Sequence, residues 1–203
     1  MAPVTWAGLA RSIRACTACD LAATRTQAVP GQLPTAGAAV LLVGEGPGAA
    51  EDACGEPFVG RSGQLLDELL AQAGLPRHTV AVANVVKCRP PGNRAPKRPE
   101  IATCRHWLVE QIEVIDPRVV VALGGTATQW FLGPGARLTQ LRGVPQRWDG
   151  RTLVVTYHPS AALRFGPRGA PVAALRADLQ TVAAVLAERE GGVTGSANDW
   201  APE

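Results

Sequence analysis

The stretch Gly44-Glu45-Gly46-Pro47-Gly48-Ala49-Ala50-Glu51-Asp52, continuing to Pro57-Phe58-Val59-Gly60-Arg61-Ser62-Gly63, decides how this chain is read. The apolar run Ala38-Ala39-Val40-Leu41-Leu42-Val43 before it reads as a buried strand, and Gln64-Leu65-Leu66-Asp67-Glu68-Leu69-Leu70 after it reads as a helix. Six glycines, two prolines and four acidic residues lie between them. An ordinary connection of this kind uses about 2–6 residues, and this one is several times longer. Long loops at the carboxyl ends of parallel strands are where α/β proteins keep their chemistry. Gly44-x-Gly46-x-Gly48 lacks the Lys-Ser/Thr of a phosphate-binding P-loop, and Ala49 breaks the dinucleotide spacing. Glu45 and Glu51 would also sit badly beside a phosphate. The glycines suit close approach of backbone N–H groups to a neutral, flat ligand.

Three more strands follow the first. Val80–Val86, Val119–Leu123 and Leu153–Tyr157 are short apolar runs separated by helical patterns. Those helices are read over Ser62–Ala73, Pro99–Ile115, Thr126–Leu132 and Ala173–Glu190, with a small hairpin around Trp148-Asp149-Gly150-Arg151. Near the N-terminus Trp6, Leu9, Ile13 and Cys16 share one helical face until Cys16-Thr17-Ala18-Cys19 interrupts it, and Ala28–Gly37 reads as a loop. Alternation of strands and helices predicts a three-layer α/β/α sandwich around a four-stranded parallel sheet. The 203 residues suffice for one domain, expected over residues 1–190, with a loose polar tail over 191–203.

All four strands of such a sheet open onto one crevice. Glu45 lies just past the first strand, Asn84 near the end of the second, Gly124-Gly125 past the third and His158 past the fourth. A carboxylate, an amide and an imidazole therefore converge there. Asn84 within an apolar strand is costly unless something bonds it. Phe58 stands among glycines and prolines rather than in a periodic segment, so its ring is free to stack on a planar group.

Five cysteines without secretory context point away from disulfides and toward metal, redox chemistry or burial. Cys16-x-x-Cys19 is a ligand pair, Cys88 opens a basic loop and Cys104 lies on the following helix. Four thiolates suit tetrahedral zinc or a four-cysteine iron–sulfur cluster, and spacing does not choose between them. Cys104 equally fits that helix's buried face, and Cys54 has no evident partner. The formal net charge of +3 is too small to identify a nucleic-acid partner alone. The run from Lys87 to Arg98 is locally basic. No apolar run reaches the roughly 20 residues of a membrane span. The N-terminus lacks signal-peptide form, so a cytoplasmic protein is expected.

Together, Gly44-Glu45-Gly46-Pro47-Gly48 with Glu51-Asp52 and Pro57-Phe58-Val59-Gly60, then Asn84-Val85-Val86-Lys87-Cys88-Arg89-Pro90-Pro91, then His158-Pro159-Ser160-Ala161-Ala162-Leu163-Arg164, resemble the family 4 uracil-DNA glycosylases. The resemblance spans roughly Cys16 to Arg164 with the motifs in order. It implies a base-excision repair enzyme that flips uracil out of single- or double-stranded DNA and hydrolyses its glycosidic bond. It implies a 4Fe-4S cluster on Cys16, Cys19, Cys88 and Cys104. Phe58 would stack on the base, Asn84 would read its Watson–Crick edge, and His158 with backbone N–H groups around Gly46 would steady its O2. Glu51, and after it Glu45, would act on the water. Alternatively, Glu51 occupies the space that thymine's methyl would need, and Glu45 organises the loop. Leu163 and Arg164 would enter the duplex, with Lys87, Arg89, Arg94, Lys97, Arg98 and Ser160 on DNA. A monomer is expected.

The histidines are His78, His106 and His158, and none lies in the Gly92–Pro99 loop, where a related subfamily traps the sugar covalently. Turnover is expected rather than an adduct. A non-catalytic nucleic-acid-binding module with a structural metal, or an electron-transfer protein, would keep the cysteines but leave Asn84, His158 and the acidic loop without a purpose.

Overall fold

The computed structural model describes residues 5–166 and 169–191. In chain order these form α1 (Trp6–Ala15), the single turn α2 (Leu21–Thr24), β1 (Val40–Gly44), α3 (Ala49–Cys54), α4 (Arg61–Gln72), β2 (Ala81–Asn84), α5 (Arg98–Ile115), β3 (Val119–Leu123), α6 (Gly125–Leu132), α7 (Leu138–Leu141), β4 (Gln146–Trp148), β5 (Arg151–Thr156), α8 (Pro159–Arg164) and α9 (Ala170–Gly191). The tail expected over 191–203 lies, from residue 192, outside the described residues.

The sheet order is β2-β1-β3-β5-β4. The four expected strands are present as β2, β1, β3 and β5, all mutually parallel. The expectation of a purely four-stranded parallel sheet is corrected by β4, which pairs antiparallel with β5 and makes the sheet mixed. The cause is the expected hairpin: Asp149 and Gly150 both take positive φ, 47° and 75°, the backbone a two-residue hairpin turn requires. At three partly exposed residues β4 has no buried apolar run to announce it.

Every residue of β1 and β3 is buried, because helices cover both faces. Leu41 and Val43 pack on one side with Ile13 of α1, Leu108 and Ile112 of α5 and Ala127 of α6. Val40 and Leu42 pack on the other with Leu66, Leu69 and Leu70 of α4 and Leu175, Leu179 and Val182 of α9. This alternation along one strand produces the three layers. The free edge of β2 is covered by the segment read as a loop: Gln32 and Val82 exchange backbone hydrogen bonds of 2.8 and 2.9 Å.

Ala170–Glu188 of α9 has the length and, at 1.3, the mean hydropathy of a membrane-crossing helix, although Arg176 and Asp178 interrupt its apolar run. Its apolar face is spent on the sheet instead, through the fully buried Leu175, Leu179 and Val182. Asp178 on α9 is buried, pairs with Arg142 at 2.8 Å and accepts the Thr156 hydroxyl at 2.6 Å. This ties α9 to the end of β5, two residues before His158.

The chain's direction on the sheet reverses at β1: β2 lies to one side of it and β3 to the other. At such a switch point the connections leave in opposite directions and a crevice opens at the carboxyl ends. Replacing Asp178 with alanine would leave Arg142 and Thr156 without this partner. The expected loss is about 3 kcal/mol, the low end for a broken buried pair because Arg142 is partly exposed, and urea unfolding measures it.

Candidate active site

The crevice is a cavity of about 390 Å³ lined from the ends of all four parallel strands. Glu45 and Gly46 follow β1, Asn84 ends β2, Gly124-Gly125-Thr126 follow β3, and His158 follows β5 as the N-cap of α8. Glu51 and Phe58 enter from the long loop. Thus the convergence of Glu45, Asn84, Gly124 and His158 read from strand ends is what the fold delivers.

The loop is not wholly irregular. It holds α3, which places Glu51 in its first turn. The Glu51 carboxylate accepts Gly48 N–H and Gly60 N–H, each at 3.0 Å, through separate oxygens. Asp52 accepts Thr26 N–H at 2.9 and 3.1 Å, anchoring the loop to the segment after α2. Phe58 is buried with a left-handed φ of 56°, and its ring faces the His158 ring at 5.7 Å between centroids. Two glycines make room for it. A Cβ on Gly63 would stand 1.6 Å from the Phe58 carbonyl oxygen, and one on Gly44 would stand 2.7 Å from Phe58 Cζ and 2.4 Å from Asn84 Oδ1.

Asn84 is 3% exposed, and among the described residues its Oδ1 has no hydrogen-bond partner. A buried, unpaired carbonyl at a cavity wall costs about 1–3 kcal/mol unless a ligand supplies a donor. His158 Nδ1 receives the Ser160 backbone N–H at 3.2 Å and lies 2.8 Å from Ser160 Oγ. An amide N–H can only donate, so Nδ1 accepts and the proton resides on Nε2. Burial drives the His158 pKa down to about 4, against the nearby charge of Glu51, which raises it. The imidazole is therefore neutral at pH 7 and has one N–H to give. Glu45 is held by the Thr126 hydroxyl, which donates to its Oε2.

The expected DNA-contacting residues divide. Arg94 and Arg164 line the cavity, and Ser160 sits beside His158. Lys97 and Arg98 are exposed at the start of α5, and Arg89 donates to Asn93 Oδ1 at 2.6 Å. Arg94 forks onto Glu100 at 2.9 and 2.6 Å. Leu163 is 37% exposed. Lys87 is a correction. At 1% exposure its ammonium is buried, donating to the Asn84 carbonyl at 2.6 Å and to Gln111 Oε1 at 2.5 Å, so it cannot reach a phosphate. Its position in a basic run gave no sign that the chain turns inward there.

A second, smaller cavity is lined by Cys16, Cys19, Cys88 and Cys104 together with Arg25, Lys87 and Trp107. Among the described residues no three such side chains stand at the spacing of a single metal ion. Arg25 donates to Cys88 Sγ at 2.8 Å. Burial pushes the Cys88 and Cys104 thiols up, while Arg25 at Cys88 and Lys87 at Cys104 act in the opposite direction. Cys54 is exposed and does not line this cavity. Sequence reading missed Thr126, Gln111 and Arg25. Thr126 carries a signal, as the first hydroxyl after the strand-end glycines; Gln111 and Arg25 look like ordinary helix and loop residues.

Comparison with known proteins gives consistent matches. The family described as the uracil DNA glycosylase superfamily matches residues 30–180. The type-4 uracil-DNA glycosylase of Thermotoga maritima is 49% identical over 156 residues, 75% of this chain and 80% of that protein. Those of Archaeoglobus fulgidus and Pyrobaculum aerophilum are each 42% identical, over 163 and 160 residues, covering 76% and 75% of this chain and 81% of each relative.

Between about pH 6.5 and pH 4 the unfolded chain protonates this histidine and the folded chain does not. Stability from His158 is therefore present above pH 6.5 and falls as pH drops toward 4. NMR titration of the imidazole is expected to give a midpoint near 4, and His158→Gln is expected to flatten that part of the stability–pH curve.

Proposed function

Because the chain belongs to the uracil-DNA glycosylase superfamily, as one of its type-4 enzymes, we propose that its pocket receives a uracil flipped out of DNA and hydrolyses the bond to the sugar, leaving an abasic site. The observation that carries this reading is the buried Asn84 Oδ1, without a hydrogen-bond partner among the described residues, in a cavity shared with a neutral His158 and the Phe58 ring. Phe58 stacks on the base. Asn84 accepts from uracil N3–H through Oδ1 and donates to O4 through its amide. Cytosine presents the reverse pattern at those two atoms and is rejected.

As the bond from C1′ to N1 breaks, its electron pair stays on the base and spreads onto O2. His158 Nε2–H, with backbone N–H at Gly46, donates there more strongly as charge develops, which lowers the barrier. The sugar becomes oxocarbenium-like, and a water oxygen bonds to C1′. Its proton passes to Glu45, held by Thr126, and the uracil anion is later protonated from solvent. Both oxygens of Glu51 already serve loop N–H groups, which supports giving the water to Glu45. Glu51 walls the pocket where thymine's methyl would have to fit. His106 bonds Thr103 on the exposed face of α5 and does not line the pocket, which supports turnover over covalent trapping.

Arg89, Arg94, Lys97, Arg98 and Ser160 contact the DNA strand, and Leu163 with Arg164 fills the gap left by the flipped nucleotide. The enzyme is read as a monomer acting in the cytoplasm. Cys16, Cys19, Cys88 and Cys104 line one cavity and would hold a 4Fe-4S cluster. When bound, it supplies a crosslink between the N-terminal segment, the end of the β2 connection and α5.

A labelled oligonucleotide with one uracil, treated with hot alkali after incubation, tests the reading. Cutting at uracil and none at thymine is expected. His158→Ala is expected to slow cutting by about 10²–10³-fold, the scale of one lost transition-state hydrogen bond, and Glu45→Gln by about 10²–10⁴-fold, the scale of a lost general base. Asn84→Asp is expected to shift cutting from uracil toward cytosine. No cutting by brown, cluster-bearing protein would move the assignment to a DNA-binding module.

A further inference from the structure

We propose that Lys87 is a positioning residue for uracil reading: its buried ammonium holds the carbonyl of Asn84 and takes its countercharge from the cysteine cavity, so that the base-reading amide depends on an intact thiolate centre. This rests on the uracil pocket proposed above.

Lys87 is among the largest fully buried side chains in the protein. A lone buried ammonium is expensive, so its partners must explain it. Two are neutral oxygens, Asn84 O at 2.6 Å and Gln111 Oε1 at 2.5 Å. Gln111 in turn donates to the Pro30 carbonyl, so the chain of bonds ends on the segment that covers the β2 edge. Neither oxygen neutralises the charge. The groups that could do so are the four cysteines once ionised, since Lys87 lines their cavity and directly precedes Cys88 in the chain.

The other end of the link is equally specific. Beyond Asn84, the chain stays in register with β1 through Val85 N–H to Gly44 O at 2.9 Å and Val86 N–H to Glu45 O at 3.1 Å. The Lys87 bond adds a tie at the carbonyl of the reading residue itself. With the thiolate centre lost, the ammonium would retain desolvation without countercharge. It would then draw away from Asn84 toward water.

The test is binding, with a duplex carrying a non-cleavable 2′-fluoro-arabino-uridine and a duplex carrying a tetrahydrofuran abasic analogue. Visible absorption reports cluster content. In Lys87→Met with its cluster retained, affinity for the uracil duplex is expected to fall about tenfold, the scale of one lost charged hydrogen bond, while the abasic duplex stays within twofold. Wild type stripped by oxidant and chelator is expected to show the same selective loss. Equal weakening for both duplexes, or no weakening, overturns the proposal. Should Lys87→Met not fold, Gln111→Met removes one acceptor only and is expected to give a selective loss of about threefold; no selective loss there also overturns it. A wild type that does not prefer the uracil duplex to a thymine duplex would instead sink the pocket assignment itself.

Discussion

The Glu51 carboxylate closes a loop that would otherwise have no reason to fold back over the sheet. It is 8% exposed and gives one oxygen to each limb, at Gly48 and at Gly60. Buried without partners, a carboxylate is far costlier than any surface alternative, so these bonds and the loop's shape require each other. The approach is close enough to dictate sequence. A Cβ on Gly48 would stand 2.7 Å from one Glu51 oxygen, and one on Gly60 would stand 3.3 Å from the other. With both limbs held, Phe58 is presented to the cavity in a left-handed conformation it would not choose alone. Gly63 lets α4 start directly beneath it.

The electrostatics of the pocket follow from burial as much as from charge. His158 is neutral because desolvation outweighs the attraction of Glu51. Glu45 and Glu51 keep the interior hostile to phosphate, while Arg94 and Arg164 stand at its lining. A polyanion bearing a neutral, planar base matches that division, with the backbone outside and the base within. In the proposed mechanism a developing cationic sugar between carboxylates and an anionic base against an imidazole N–H match it again.

The two cavities share a short connection. Asn84, Lys87 and Cys88 lie within five residues, and α5 carries both Cys104 and Gln111. One strand exit therefore serves both Asn84 in the larger cavity and Cys88 in the cysteine-lined one. Chain that short has little freedom to relax at one end without moving the other.

The sequence by itself determined the parallel strands, the helical layers and the convergence of Glu45, Asn84 and His158. Buried strands leave apolar runs, and the topology of a parallel sheet forces their ends together. It also pointed, through the family resemblance, to Cys16, Cys19, Cys88 and Cys104, which the fold brings to one cavity. Only the tertiary structure decided that β4 joins the sheet, because a three-residue polar edge has no apolar signature. Only it decided that Lys87 turns inward while Lys97 and Arg98 face water, since a basic run looks alike from every side in one dimension. The pairing of Glu51 with Gly60, of Glu45 with Thr126 and of Arg25 with Cys88 belongs to the same class. The Glu45 and Cys88 contacts span 81 and 63 residues, and the Gly60 contact spans nine residues of non-periodic loop, so nothing in local periodicity encodes them.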